Sequence, residues 1–111
     1  MIPSLARLLD DLAAEAPGTT ATVAGAVTTW SRNGRAFAIA GPGGVEIRLD
    51  QPIVAAVTRT RDAGPSPRGP VWVRFNPPEL DGHAVDRVTA WFKLAWRKAD
   101  PVGAASDRYD A

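Results

Sequence analysis

An Asn33-Gly34 pair lies between two β-prone segments, and it constrains the fold more than any other feature of the sequence. This dipeptide, flanked by such segments, is the strongest short-range signal for a β-hairpin. It predicts a tight turn from a strand near Trp30–Arg32 into a second strand, Arg35–Ala40. Strands joined by such a turn are antiparallel, so we expect the chain to build an antiparallel sheet.

Two further strands are predicted by the alternation of apolar and polar side chains. Residues 45–49 and 71–75 both have an apolar residue at every second position, and this period is typical of a strand with one buried face. A segment rich in threonine, valine and alanine, residues 19–23, predicts the first strand. The glycine-rich residues 41–44 predict another turn. We therefore expect about four to five strands.

Apolar residues spaced three and four positions apart predict a helix near each end of the chain. These residues are Leu5, Leu8, Leu9 and Leu12 in the first helix, and Val85, Val88, Phe92, Ala95 and Trp96 in the last. Residues 51–60 predict a short crossover helix, and the proline- and glycine-rich residues 62–70 predict a loop. The expected fold is α+β, in the order α-β-β-β-β-α-β-α, with the helices on one face of the sheet. The expected core includes Phe37, Ile47, Val73, Phe92 and Trp96.

The length and residue content of the chain limit the classes of protein to which it can belong. Its 111 residues suffice for a single domain, predicted over residues 1–101, with a disordered tail over 102–111. The chain has no cysteine, which excludes disulfides and thiol chemistry and fits a cytoplasmic location. No apolar run is long enough to predict a membrane span, so no membrane partner is expected.

Catalytic and metal-binding motifs are weak. His83 is the one histidine of the chain. It could pair with Asp86 or Asp81, but a metal site needs more ligands of this kind. No serine lies in a Gly-x-Ser-x-Gly motif, and the glycines of residues 41–44 are not followed by the lysine and hydroxyl residue of a phosphate-binding loop. We therefore predict no metal, no cofactor and no identifiable catalytic residue.

A surface of tryptophan and arginine is the main candidate for function. Strand parity places Trp72 and Arg74 opposite the apolar residues of their strand, and Arg48 opposite Val45 and Ile47. We expect Trp30 to share this face, while Arg32 and Arg35 flank the predicted Asn33-Gly34 turn. The predicted binding residues are Trp72, Arg74, Arg48, Trp30, Arg32 and Arg35.

Three uses of this surface remain open. Arginines interleaved with tryptophans can bind single-stranded nucleic acid, and residues 28–75 carry seven arginines against three acidic residues, a net charge of +4. The whole chain, however, has a net charge of only +1. A protein partner or a second copy of the chain could instead cover the face, or the arginines could stack on neighbouring tryptophans. We predict a non-catalytic interaction domain, with nucleic-acid binding as the alternative.

Several short segments resemble one family of small bacterial proteins. Gly34–Ala38 looks like the Gly-Lys-x-Phe-Ala strand of YjbR/MmcQ-like proteins, Pro67–Val73 resembles their loop that leads into a Trp-Val strand, and Ala95–Arg97 resembles the end of their last helix. The resemblance spans about residues 27–100. The same segments resemble an uncharacterised bacterial group of luciferase-like domains. The resemblance implies a CyaY-like α+β fold and, for some YjbR-like proteins, a DNA-binding surface. It brings no catalytic residue.

Overall fold

One layer of the protein is a six-stranded antiparallel sheet, and three helices form the other. The computed structural model describes residues 5–99. The helices are α1 (Leu5–Ala14), α2 (Gln51–Val57) and α3 (Gly82–Lys98). The strands are β1 (Thr19–Ala24), β2 (Val27–Arg32), β3 (Arg35–Gly41), β4 (Gly44–Arg48), β5 (Ala63–Pro65) and β6 (Trp72–Phe75). In the sheet they lie in the order β1-β2-β3-β4-β6-β5.

The predicted Asn33-Gly34 turn connects β2 to β3. Both residues have positive φ angles, 55° and 76°, as a type I′ hairpin turn requires. Farther along the hairpin, Trp30 pairs with Ala38 while the next residue of β2 pairs with Ala36. Phe37 is therefore an extra residue in β3, and this β-bulge brings two consecutive side chains, Phe37 and Ala38, into the core.

The core lies between the helices and one face of the sheet, which we call the inner face. Val45, Ile47, Val73 and Phe75 of the two central strands belong to it, and all are at most 1% exposed. They pack with residues of all three helices, including Leu9, Val57 and Phe92. The Phe92 ring meets Phe37 edge to face at 5.1 Å between centroids. The opposite face of the sheet is called the outer face below.

Helix α3 begins at a capped residue. The Asp81 side chain accepts a hydrogen bond from the Ala84 backbone N–H at 2.9 Å, as expected for an aspartate that caps a helix N-terminus. The helix buries Ala84, Val88, Trp91, Phe92 and Ala95. This stripe includes Trp91, which the sequence pattern did not predict to be buried. Trp91 meets Phe75 edge to face at 5.0 Å.

The predicted α+β fold and the order of its main elements are confirmed. The sequence pattern missed β5, a three-residue strand that contains a glycine and a proline and lies in the predicted loop 62–70. The prediction that Trp96 belongs to the buried core is only partly correct. Its ring packs against the core but is half-buried, because it lies at the end of the helix layer.

Two further predictions concern the tail of the chain and membrane-spanning helices. The predicted disordered tail, 102–111, lies outside the described residues. Within residues 5–99, no helix is both long and apolar enough to cross a membrane.

Candidate functional site

The outer face carries three of the six predicted binding residues. Arg74 pairs with Glu46, and Trp72 pairs with Arg48, in the β4–β6 ladder. The alternate pairs of the same ladder are the buried residues of the inner face. Because cross-strand partners point to the same face, Trp72, Arg74 and Arg48 lie on the side away from the helices. The parity prediction for these residues is confirmed.

The chain itself covers Trp72. The guanidinium carbon of Arg68, in the loop that precedes β6, lies 5.9 Å from the centroid of the indole ring. The same guanidinium donates a hydrogen bond from Nε to Oε1 of Glu46 at 2.9 Å. Arginine over an aromatic face is attracted by the ring quadrupole. The aromatic surface on this side of the sheet is therefore occupied in part by an intramolecular contact.

Ser66 fixes the loop that carries Arg68. Its hydroxyl donates a hydrogen bond to Oε2 of Glu46 and accepts one from the backbone N–H of Arg68 at 3.1 Å. Burial alone would raise the pKa of the Glu46 carboxyl. The hydrogen bonds from Ser66 and Arg68, together with the charges of Arg68 and Arg74, outweigh burial and hold that pKa below its ordinary value. Glu46 is thus a charged anchor for the loop.

Arg74 is tied to the neighbouring hairpin. Its Nε donates a hydrogen bond to the backbone oxygen of Gly43 at 3.0 Å, in the tight turn between β3 and β4. Arg48 is exposed. On the outer face, Trp72 is therefore partly covered by Arg68, and Arg74 is already bonded to the neighbouring turn.

Trp30 does not belong to this surface, and its predicted place on the outer face is wrong. It is completely buried on the inner face, where it pairs with Ala21 and Ala38. Its Nε1 donates a hydrogen bond to Oδ1 of Asp10 in α1 at 3.2 Å. The large indole fills space under the first helix, and Asp10 satisfies its one polar group.

Arg32 and Arg35 flank the hairpin turn, as predicted, and lie on the side of the helices rather than on the outer face. Arg32 pairs with Arg35 in the β2–β3 ladder, and its guanidinium carbon lies 3.7 Å from the centroid of the Trp96 ring. Its Nη1 donates to the backbone oxygen of Trp96 at 3.0 Å. A cation there is favourable because the carbonyls of the last helical turn carry partial negative charge. Arg35 lies beside the end of the same helix. The six predicted residues therefore do not form one surface.

The edge strand β1 is a feature that the sequence prediction overlooked. It pairs with β2 on one side and is the first strand of the sheet. Five of its six residues are exposed, and Val23 is 69% exposed. Its sequence, TTATVA, contains no charge and no proline, which are the usual protections of an exposed edge. The absence of charge in residues 19–24 was the sequence feature that could have indicated an unprotected edge strand.

His83 lies in the first turn of α3. In the part of the chain that the structure describes, no group of three or more His, Cys, Asp or Glu side chains is arranged to hold a metal ion. His83 Nε2 is buried and has no hydrogen-bond partner among those residues. It lies in a cleft with Asp62, Glu79 and Asp81, of which Asp81 already caps α3.

Comparisons of the chain with protein-family models, curated proteins and solved structures found no match. The YjbR/MmcQ-like relationship therefore stays a prediction.

Proposed function

We propose that this chain is a non-catalytic interaction domain that self-associates by pairing β1 of one copy with β1 of a second copy. One observation carries the proposal: β1 is a six-residue edge strand, exposed and without charge, and no strand of the described chain pairs with its outer edge. Backbone N–H and C=O groups on such an edge are a template for another strand. The pairing would join two six-stranded sheets into one.

The chemistry of β1 favours a copy of itself as the partner. A strand without charges needs no complementary charges opposite it, so antiparallel self-pairing creates no unfavourable ion contacts. The β-branched residues Thr20, Thr22 and Val23 are well suited to cross-strand contacts. In a two-fold arrangement the same patch serves both copies.

The other end of the sheet limits the assembly to two copies. The second edge strand, β5, has only three residues and includes Gly64 and Pro65, and both features weaken strand pairing. A β1–β1 contact thus uses the one long edge of each copy and closes. A strand pairing of this length lies at the low end of interface size, so we expect a weak dimer that depends on concentration.

The contacts of the outer face favour this arrangement over the tryptophan–arginine surface. Trp72 is already in contact with Arg68, and Trp30 is buried. A platform that stacks bases needs exposed aromatic rings beside cations, so the nucleic-acid alternative has little support. We retain a cytoplasmic location and a YjbR/MmcQ-like relationship as proposals, the first because the chain has no cysteine.

Sedimentation equilibrium over a range of protein concentrations tests the proposal. Thr22 lies in the middle of β1 and is exposed, so Thr22→Lys would place two lysines close to the two-fold axis. We expect the wild-type chain to dimerise and the variant to remain monomeric, because like charges on facing strands repel. Ala56→Lys is the matched control. Ala56 is exposed on α2, a helix that packs near the opposite edge of the sheet. This variant should dimerise as the wild type does.

Two results would contradict the proposal. One is a wild-type chain that stays monomeric at the highest concentrations. The other is a dimer that Thr22→Lys leaves intact. Thermal unfolding of both lysine variants checks that each is folded.

A further inference from the structure

Asn33 differs from the other amide side chains of the sequence in the residue that follows it. The chain contains two asparagines, Asn33 and Asn76, and one glutamine, Gln51. Asn76 and Gln51 each precede a proline, which has no backbone N–H. Asn33 precedes Gly34, which has an N–H and no side chain to hinder it. A reaction between an amide side chain and the next backbone N–H is therefore confined to Asn33.

The fold leaves both reacting groups of this pair accessible. Asn33 and Gly34 are exposed at the end of the β2–β3 hairpin. The Asn33 side chain and the Gly34 N–H form no hydrogen bond with residues 5–99. A Cβ added at Gly34 would have no neighbour within 4 Å, so the space around this residue is open. Only the geometry of the turn keeps the two groups apart.

The closed turn holds the Gly34 nitrogen away from the Asn33 side chain. Asn33 has a φ of 55° and Gly34 a φ of 76°, and the first central residue of a type I′ turn has a ψ of about 30°. A ring between the two groups forms only when the nitrogen lies on the same side of the Cα–C bond as Cβ, and this ψ places it on the opposite side. The turn must therefore open before the groups meet. Local opening of this kind costs less free energy at exposed turns than in the core.

We propose that Asn33 is a site of spontaneous deamidation, in which the Gly34 nitrogen attacks the Asn33 side chain while the turn is open. The nitrogen forms a bond to Cγ of Asn33, the bond from Cγ to Nδ2 breaks, and Nδ2 leaves as ammonia with the proton of the Gly34 nitrogen. Water then opens the resulting cyclic imide. Cleavage at Cγ gives aspartate, and cleavage at the backbone carbonyl carbon gives isoaspartate. The reacting groups belong to one chain, so the reaction does not depend on self-association.

The two products affect the hairpin differently. Aspartate, like asparagine, tolerates a positive φ, so the first product keeps the turn. Isoaspartate adds Cβ to the main chain, and a two-residue turn lengthened in this way no longer fits between Arg32 and Arg35, which pair across the strands. Arg32 also contacts the Trp96 ring and donates to its backbone oxygen near the end of α3. Isoaspartate therefore weakens the contact between the hairpin and α3.

Asp81 precedes Gly82, and this pair is a second place where a cyclic imide could form. The Asp81 carboxyl accepts a hydrogen bond from the Ala84 N–H at 2.9 Å, which holds it at the start of α3. Ring closure there releases water rather than ammonia and, once water reopens the ring, leaves the mass unchanged. The two sites are therefore distinguished by their products.

Incubation of the full chain at mildly alkaline pH, followed by peptide mass spectrometry and measurement of ammonia, tests the proposal. We expect the mass gain for replacement of NH₂ by OH at Asn33 and at neither Asn76 nor Gln51, with both aspartate and isoaspartate among the products. Unfolding the chain in guanidinium chloride should raise the rate about tenfold or more. A tenfold change corresponds to an opening free energy of about 1.4 kcal/mol for the turn.

Two variants separate the chemistry from its effect on the fold. Asn33→Gly is the matched control, because Gly-Gly forms the same type of turn and has no amide side chain. It should release no ammonia and keep its stability during incubation. Asn33→Asp reproduces one product, and when freshly prepared it should unfold at the same denaturant concentration as fresh wild type. Wild type enriched in isoaspartate should unfold at a lower concentration.

Four outcomes would overturn the proposal. The folded chain could show no mass gain at Asn33 under conditions in which the unfolded chain reacts. Folded and unfolded chains could react at the same rate, which would remove the role of the turn. The isoaspartate form could be as stable as fresh wild type. Ammonia could also be released equally from Asn33→Gly, which would place the reaction elsewhere.

Discussion

Arg68 lies over the indole ring of Trp72, 5.9 Å from its centroid, while its Nε holds Oε1 of Glu46 at 2.9 Å. One side chain thus links the loop before β6 to both central strands of the outer face. The Arg68 side chain is 44% exposed, so solvent screens its ion pair. Arg68 therefore stabilises the fold through the ring contact and the ion pair together, supported by the hydrogen bonds of Ser66.

The first prediction concerns the cover over Trp72. Arg68→Ala should lower the free energy of unfolding by about 1–2 kcal/mol, the sum of a cation–π contact and an exposed ion pair. Trp72→Ala should also destabilise the fold, and neither variant should change the association state. Urea unfolding and sedimentation equilibrium measure the two effects. Arg59→Ala, at an exposed position, is the control. A Trp72→Ala variant of normal stability that no longer dimerises would instead make the outer face the interface.

The second prediction concerns pH and Glu46. Its pKa in the folded protein lies below the ordinary value of a glutamate, so it binds a proton less readily than in the unfolded chain. The stability that it contributes is fully present above its unfolded pKa, about 4.3. That contribution is lost as the pH falls through the lower folded value. Glu46→Gln should therefore destabilise the protein at pH 7, and the difference from wild type should shrink below about pH 4.

Urea unfolding of the wild type and of Glu46→Gln, at pH 7 and below about pH 4, measures this difference in stability. Glu15→Gln is the control, because Glu15 is exposed and its side chain forms no hydrogen bond or ion pair with residues 5–99. This substitution should change the stability little. If Glu46→Gln lowers the stability as much at low pH as at neutral pH, the negative charge of Glu46 is not the cause of the loss.

The third prediction concerns Trp30 and Asp10. Asp10→Ala removes the acceptor of the buried indole N–H, and an unpaired buried donor costs about 1–3 kcal/mol. Asp11→Ala, at the neighbouring exposed position, should have almost no effect. Asp10→Asn should restore part of the loss, because its amide oxygen can accept the same hydrogen bond. Equal effects of Asp10→Ala and Asp11→Ala in denaturant unfolding would contradict this role.

The different outcomes for Trp72 and Trp30 show what strand parity can predict. Around Trp72, apolar residues alternate over 71–75 and match the pattern of β4, so the sequence decided which face is buried. Around Trp30, threonines, a serine and an arginine provide no apolar stripe. Its face follows from the register with β3, which a bulge shifts at Phe37, and from the contact with α1. Both are tertiary features that no local pattern contains.

The candidate sites were predictable to a smaller extent. The turn at Asn33-Gly34 correctly placed Arg35 at the start of a strand, but the face on which its side chain lies depends on the register with β2, which the bulge shifts. The loop over 62–70 was predicted from its prolines and glycines, yet nothing local indicated that Ser66 and Arg68 would bind Glu46. Long-range partners of polar side chains depend on the packing of elements that are distant in sequence.

The last prediction concerns the turn between β3 and β4, where two adjacent glycines should differ in their tolerance. Gly44 has a φ of 105°, and a Cβ there would lie 2.5 Å from the backbone oxygen of Phe75. Gly44→Ala therefore combines a conformation that side chains avoid with a collision against a core strand, and should cost about 2–4 kcal/mol. A Cβ at Gly43 would instead meet the guanidinium end of Arg74, which can rotate away. Gly43→Ala should cost less than about 1 kcal/mol, mainly the weakened hydrogen bond from Arg74. Urea unfolding of the two variants measures the difference, and equal losses would contradict the assigned pairing of β4 with β6.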